Sequence, residues 1–340
     1  MEKRKMTLQR FLGEWGPVAL IPTLFIIFSI IDPVSYLSAN NVLNILRATC
    51  IYLVVGMGST FAFSCGVFDL SVGSAVTLGG MFAISFQAWF GIPWLLAIVL
   101  TACAGALIGI INSLLVLKFN VNGMLATLSM QFILNGVALT YSAGQVVTAT
   151  KANRPGQEIV GEVPDAFWNI GKAPTIIIFA FVCVLIVFVF QNFIKHGRYL
   201  YMVGENAEAA RLSGIKVNAY RSFAFIMTGV FACLGGMVMA ARNGSVGTTA
   251  GSSYLMPAIA AVNIGRSVAG INKPNALGTF VGVLLWVVLD NGLIMVGVPY
   301  YMVDIAKGVV LLLAMIVTSY KFGAKKIFGF GPDKKKKAAA

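Results

Sequence analysis

Polar and ionisable side chains inside long apolar runs are the residues of this chain that could carry chemistry or a solute. Such groups are costly in lipid, so they usually line a pathway or pair with one another. Asp304 and Lys307 lie three residues apart and can form an ion pair on one face of a helix. The remaining residues of this kind are candidates for a translocation path: Asn112, Gln131, Asn135, Asn263, Asp290 and Asn291.

The sequence contains few residues that could act as catalytic groups or metal ligands. The single histidine, His196, lies in a basic His-Gly-Arg run, and the five cysteines stand singly inside apolar stretches, with no CxxC pair or Cys/His cluster. No G-x-x-x-x-G-K-[ST] loop is present to hold the phosphates of ATP. We therefore expect no catalytic residues, no metal site and no cofactor bound by this chain.

The elements that must position the polar residues are membrane-spanning helices. The chain is 58% hydrophobic and only 11% charged, and a helix of about 20 apolar residues crosses the hydrocarbon core with its backbone hydrogen bonds satisfied. The sequence predicts an all-α, polytopic transmembrane bundle. Its ten or so membrane segments are placed near 15–31, 42–65, 71–90, 93–117, 123–143, 174–194, 222–242, 254–270, 276–296 and 300–318.

Two of these segments leave an alternative open. The stretch 254–270 is short, rich in Gly and Ala, and contains Arg266, so it could be re-entrant rather than a full crossing. The apolar run 16–31 follows a basic start, as a signal peptide would, but Glu14, Pro17 and Pro22 favour a retained first span.

The basic residues predict the orientation of the bundle and explain the net charge of +13 without nucleic acid. With the N-terminus inside, nineteen of the 25 Lys and Arg residues fall on the cytoplasmic side, whereas Arg47, Lys151, Arg154, Lys172 and Arg242 fall outside and Lys307 lies within a span. This asymmetry favours an even number of crossings with both termini cytoplasmic. Eight full crossings with two re-entrant segments would fit equally well. We assign 1–320 to one transmembrane domain and 321–340 to a basic, disordered cytoplasmic tail.

Two loops are long enough to do more than connect spans. The outer loop, 144–173, is either a gate or docking surface or a plain connection. The cytoplasmic segment, 195–221, contains good helix formers at 207–212 between Asn206, a suitable N-cap, and Gly214, a suitable C-cap. Glu208 and Arg211 can pair across one turn of that helix. Its small-residue face suits close seating in another protein. An ordinary surface helix between spans is the alternative, and it would explain the alanines but not the whole pattern.

Four motifs in order resemble those of ribose-type and galactose-type ABC importer permeases, over about residues 40 to 320. The run 204–215 reads G-x-N-x-x-A-A-R-L-S-G-I and is similar to the coupling segment of that family. The run 66–74 reads G-V-F-D-L-S-V-G-S and is similar to a turn between two spans, formed around Asp69, Ser71 and Gly73. The other two are 254–262, and Asn-Gly-Leu at 291–293 leading to Lys-Gly at 307–308.

The resemblance implies a multi-pass permease subunit in the bacterial plasma membrane that translocates a sugar or sugar-like solute. A periplasmic or lipid-anchored binding protein would deliver the solute, and ATP and Mg²⁺ would be held by a separate ATPase subunit. A second permease copy or a paralogue would complete the pathway, and small-residue spans such as Gly105/Gly109 and Gly235/Gly236 can support close helix packing. Coupling to the ATPase would fall on Gly204, Glu205, Asn206, Glu208, Ala209, Ala210, Arg211 and Gly214.

Two alternatives to a sugar importer fit the same sequence. An ion-coupled secondary transporter that uses Asp290, Asp304 and Lys307 is an alternative, since the family more often has an amide at the two aspartate positions. A local Asp290–Lys307 or Asp304–Lys307 bridge would also explain these charges. An ABC permease for a nucleoside or a branched-chain amino acid is the second alternative. We interpret Asp69 as a cap at a helix start rather than as a proton carrier.

Overall fold

The computed structural model describes residues 8–153, 157–268 and 271–319, and almost all of its regular structure is helical. The first half contains α1 Leu8–Ile31, α2 Pro33–Tyr36, α3 Ala39–Ser64, α4 Val72–Ala88, α5 Trp94–Ser113, a π-helical turn Leu114–Lys118, α6 Gly123–Tyr141 and the short strand β1 Val147–Thr148. The second half contains α7 Asp165–Ile170, α8 Thr175–Phe193, α9 Lys195–Glu205, α10 Ala207–Leu212, α11 Val217–Asn243, β2 Ser245–Val246, α12 Ser252–Gly265, α13 Ala276–Met295 and α14 Tyr300–Ser319. The tail predicted at 321–340 lies outside the described residues.

The helical class is confirmed, and each of the ten predicted segments contains one helix. Within the described residues, six helices are long and apolar enough to cross a membrane: α3, α5 with its π turn, α6, α8, α11 and α13. By contrast, α12 has 14 residues and is about 21 Å long, which is shorter than a hydrocarbon core of about 30 Å.

Helix α11 lies at the centre of the bundle because glycines let three neighbours approach its backbone. A Cβ atom on Gly105 of α5 would overlap the Gly229 carbonyl oxygen, and a Cβ on Gly229 would overlap the Gly105 carbonyl oxygen. Gly109 meets the Phe225 carbonyl in the same way, and Gly236 meets the Val76 carbonyl of α4. The small-residue spans singled out in the sequence therefore pack inside this chain.

The two ends of the bundle are marked by different contacts. At one end, the start of α3 meets the end of α13, where the Asn41 and Asn291 side-chain amides donate to each other at 3.2 and 2.9 Å. The segments that follow α6 and α11 are joined there as well, by the antiparallel pairing of Val147 with Val246. The ends of α3 and α8 meet the start of α13 at the opposite end, where α9 and α10 also lie.

Candidate functional site

The segment α9–α10 is two helices joined by a sharp break at Asn206, whose backbone is extended (φ −153°, ψ 96°). The Asn206 Oδ1 atom accepts hydrogen bonds from the backbone N–H groups of Glu208 (3.1 Å) and Ala209 (3.0 Å). This is the N-cap predicted from the sequence, and a cap of this kind contributes about 1 kcal/mol to helix stability.

The end of α10 is equally well defined. Ser213 is the C-cap, and Gly214 follows with φ +78°. The Ile215 N–H donates to the Ala210 carbonyl at 3.0 Å, which is the long hydrogen bond of a Schellman ending. Gly214 thus ends the helix as predicted, one position after the cap residue itself. A two-turn helix is thereby fixed at both ends by local interactions.

The outward face of α10 is exposed in the part of the chain that the structure describes. Arg211 Nη2 lies 2.6 Å from Glu208 Oε1, but both side chains are well exposed, and such pairs add only about 0.2–1 kcal/mol. Leu212 is 80% exposed and Ala209 is also exposed, whereas Ala210 is buried against the chain. The helix therefore presents a small mixed surface to the outside.

Helix α9 holds this surface in place and was not predicted from the sequence. Its buried residues are Gly197, Leu200 and Val203, spaced by three along one face. Gly204 faces the end of α3 so closely that a Cβ atom would overlap the Ser64 carbonyl oxygen. The three-residue spacing was the available signal for α9, although the glycines and polar residues between its members obscured it.

A polar cluster connects α9 to three other helices; we call it the Gln191 cluster, comprising Ser64, Gln191, Tyr201, Pro274 and Ala276. The Pro274 carbonyl accepts from Tyr201 Oη (2.7 Å) and from Ser64 Oγ (3.2 Å). Gln191 donates to Ser64 Oγ (3.2 Å) and accepts from the Ala276 N–H (3.0 Å). Burial raises the pKa of Tyr201 to about 12, so its hydroxyl remains a donor. A shift of α9 therefore acts on α3, α8 and α13 together.

Glu205 ties the same segment to the loop before α13. Its Oε1 atom lies 2.7 Å from Lys273 Nζ, and the Lys273 ammonium lies 5.6 Å from the centre of the Tyr201 ring. The predicted coupling residues thus divide into two groups. Gly204 and Glu205 attach the segment to the bundle, whereas Glu208, Ala209 and Arg211 face outward.

The turn around Asp69 is a buried hydrogen-bond network. Asp69 Oδ1 accepts from the Ser71 N–H (2.9 Å) and hydroxyl (2.6 Å), and Asn112 of α5 donates to Asp69 Oδ2 (3.2 Å) and Ser71 Oγ (2.8 Å). Ser71 is the residue directly before α4, and Gly73 lets the Ser252 backbone approach, since a Cβ there would lie 3.2 Å from the Ser252 Cα. Burial raises the pKa of Asp69, and the hydrogen bonds from Ser71 and Asn112 oppose that rise. These contacts favour a structural role for Asp69 and Asn112.

The other candidates for a translocation path do not converge on one place. Asn135 and the Gln131 carbonyl of α6 both accept from Ser74 of α4, at 2.8 and 3.0 Å. Asn263 donates to the Ile259 carbonyl of its own helix at 2.9 Å. Asn291 pairs with Asn41, as described above. The side-chain amides of Asn135, Asn263 and Asn291 therefore each have a hydrogen-bond partner within the chain.

Lys307 pairs more closely with Asp290 than with Asp304. Its Nζ atom lies 2.5 Å from Asp290 Oδ1 and 3.5 Å from Asp304 Oδ1. The Asp290 and Lys307 side chains are 23% and 16% exposed, whereas Asp304 is 92% exposed. The predicted Asp304–Lys307 contact is present, but the interhelical pair with Asp290 is the one shielded from water.

The Asp290–Lys307 pair leads to a testable expectation. Lys307→Met should lower the free energy of unfolding by more than about 1 kcal/mol, though by less than the roughly 3–5 kcal/mol of a fully buried pair, because it leaves Asp290 half-buried without its cation. Adding Asp290→Asn to Lys307→Met should restore part of the loss. Thermal denaturation of the detergent-purified protein measures both, with Asp304→Asn as the control of small effect. Strictly additive losses would show that the two charges do not interact.

Comparison with known proteins places this architecture in context. Residues 41–317 match the family described as branched-chain amino acid transport system / permease component. The ribose import permease protein RbsC of Haemophilus influenzae is 33% identical over 331 residues, which cover 96% of this chain and 99% of that protein. The autoinducer 2 import system permease protein LsrD of Photorhabdus temperata is 30% identical, covering 95% of this chain and 96% of that protein.

A third relative is named for a different solute. The galactose/methyl galactoside import permease protein MglC of Escherichia coli is 28% identical over 335 residues, which cover 95% of this chain and 98% of that protein. No solved structure is significantly similar to this chain.

Proposed function

The chain belongs to the family of branched-chain amino acid transport system permease components, and we propose that its solute is a sugar or a sugar-derived compound. It is a multi-pass protein of the bacterial inner membrane and the permease subunit of an ATP-binding cassette importer. The observation that carries the choice of solute is the full-length similarity to permeases named for ribose, autoinducer 2 and galactose. A nucleoside or an amino acid has no such support among these relatives.

The exposed face of α10 is the proposed seat of the ATPase. It offers Glu208, Ala209, Arg211 and Leu212 to a partner, and it is held by caps at both ends, so little order has to be gained on binding. The ATPase subunit would hold ATP and Mg²⁺, and a binding protein at the other face would deliver the solute. This chain would then contribute the pathway and no catalytic group.

The route for coupling runs from α10 through α9 into the bundle. Closure of the ATPases would displace α10, and the Gly204–Ser64 contact and the Gln191 cluster would pass that displacement to α3, α8 and α13. The solute influences the access equilibrium only through its different affinities for the two states.

The proposed topology has ten membrane segments with both termini cytoplasmic. Two observations support it. The basic residues are concentrated on the side assigned to the cytoplasm, and the two sets of contacts described above lie at opposite ends of the bundle. Consecutive helices that alternate in direction bring the partners of each set to the same end. In this arrangement α12 covers only part of the membrane, and Pro274, which comes just before α13, contacts Ser64 at the end of α3.

The secondary-carrier alternative is not favoured. Two of its three charged residues, Asp290 and Lys307, form an interhelical ion pair, and the third, Asp304, is exposed. The relatives are import permeases of the ATP-driven kind, and the charged group is explained by helix packing without any proton or ion step.

Ala209→Trp tests the proposed docking of the ATPase. A bulky ring on the exposed face of α10 should hold the two proteins apart and reduce copurification of the ATPase by about tenfold or more, the equivalent of about 1.4 kcal/mol. The matched control is Asn218→Trp, at an exposed position of the first turn of α11.

Uptake of radiolabelled ribose, galactose and their derivatives into proteoliposomes should require ATP and should persist with an uncoupler. ATP-independent uptake, or a normal complex with Ala209→Trp, would contradict the proposal.

A further inference from the structure

A groove of about 500 Å³ lies where the α9–α10 segment meets the ends of α8 and α11. Its floor is apolar: the Phe190 and Phe223 rings stack with their centres 5.4 Å apart, and Ile215 lies beside them. Its mouth is polar and contains Lys216 and the hydrogen-bonded pair His196–Tyr220, with Nδ1 and Oη 2.7 Å apart. We call this the Phe190 groove. It is separate from the outward face of α10.

The depth of the Phe190 groove matches the boundary between hydrocarbon and water. Phe190 is in the last turn of α8 and Phe223 in the second turn of α11, and both helices are long enough to span the membrane. Lys195 and Lys216 lie just beyond those helices, at the first position of α9 and the N-cap of α11. The floor of the groove thus lies at the level of acyl chains and its mouth at the level of headgroups.

The charge around the mouth is positive and uncompensated within the described part of the chain. Lys216 lines the mouth, and Lys195 and Arg198 are next in sequence to the lining residues His196 and Tyr199. All three basic residues are exposed, and none forms an ion pair with a described residue. The two carboxylates of the α9–α10 segment are already engaged, Glu205 by Lys273 and Glu208 by Arg211. None of the described residues that line the groove is acidic. Its complement is therefore an anion attached to an apolar body.

We propose that the Phe190 groove binds one anionic phospholipid. An acyl chain lies against Phe190 and Phe223, and the phosphate is held by Lys195 and Lys216, as expected for basic pockets at helix ends that face an anionic leaflet. A soluble protein does not fit this groove as well, because its floor is below the headgroups. The lipid braces the hinge between the membrane helices and α9–α10, so its loss loosens the coupling segment. That last consequence rests on the proposed function, whereas the binding itself does not.

Lipid retention by the purified full-length protein tests the binding. We expect native mass spectrometry to show a retained 1-palmitoyl-2-oleoyl-phosphatidylglycerol but not the phosphatidylcholine with the same chains. Removing the two cations with Lys195→Gln and Lys216→Gln should weaken retention by about fivefold for each lysine. The control, Lys118→Gln, removes an exposed lysine at the end of the π turn and away from the groove, and should retain the lipid.

Two outcomes would overturn the proposal: equal retention by the double variant, or equal retention of phosphatidylcholine. The yield of monodisperse protein should be alike for the two variants, because all three lysines are exposed. Since none of these readouts requires transport, a negative result here leaves the importer assignment standing, and a failed uptake assay leaves the lipid site standing.

Discussion

Gly229→Leu is expected to leave little folded protein. The α5–α11 crossing is a contact of backbone against backbone, in which Gly105 and Gly229 each face the other's carbonyl oxygen. A flexible side chain could move aside, but these carbonyls belong to the hydrogen-bond ladders of two helices. Any side chain at Gly229 must therefore separate α5 from α11. Overpacking in a core costs about 1–3 kcal/mol, and a rigid backbone neighbour places this change at or above the top of that range.

The matched control for Gly229→Leu is Gly136→Leu. Gly136 is also inside a membrane helix, α6, but it is exposed and a Cβ there would meet no atom within 4 Å. Membrane-extracted protein is then measured by size-exclusion chromatography and thermal denaturation. We expect Gly136→Leu to give normal yield and Gly229→Leu to give aggregate. If Gly229→Leu is monodisperse with a normal melting temperature, the α5 and α11 backbones are farther apart than in this structure.

The helices were predictable because their signals are local. Apolar runs mark the membrane helices to within a few residues, and α10 is specified by Asn206 before it and Gly214 after it. Helix α9 was missed because its buried face, Gly197, Leu200 and Val203, is made of three residues in a polar context. The helices that pack against each glycine could not be predicted either. A small residue permits close packing, but the sequence does not show which helix packs there.

The partners of the polar residues depend on packing between distant elements. Asn112 bonds to Asp69, 43 residues away, and Asn291 bonds to Asn41, 250 residues away. Lys307 was expected to pair with Asp304 because the two are one helical turn apart. Of the two bridges that the sequence allowed, the structure makes the interhelical one to Asp290 the closer. Composition thus identifies which groups need a partner inside the bundle, while the tertiary fold decides which partner each one has.

Gly204→Val is expected to separate ATP hydrolysis from transport while leaving the chain folded. Gly204 is at the periphery of the bundle, so a side chain there does not disturb the α11 core. It would, however, overlap the Ser64 carbonyl and push α9 away from α3. Strain of about 1–3 kcal/mol in one of two conformations changes their ratio by about five- to 150-fold. We therefore expect uptake per ATP hydrolysed to fall by a factor in that range.

The control for Gly204→Val is Gly214→Ala, ten residues along the same segment. Gly214 has φ +78° and a Cβ there would touch nothing within 4 Å, so alanine costs about 1 kcal/mol of local backbone strain without reaching α3. Both variants should copurify with the ATPase, because the outward face of α10 is unchanged in each. Reconstituted complexes are compared by solute taken up per phosphate released, with the amount of monodisperse complex held equal. If Gly204→Val transports as efficiently as Gly214→Ala, the contact between α9 and α3 does not carry the coupling, and the Gln191 cluster becomes the remaining route into the bundle.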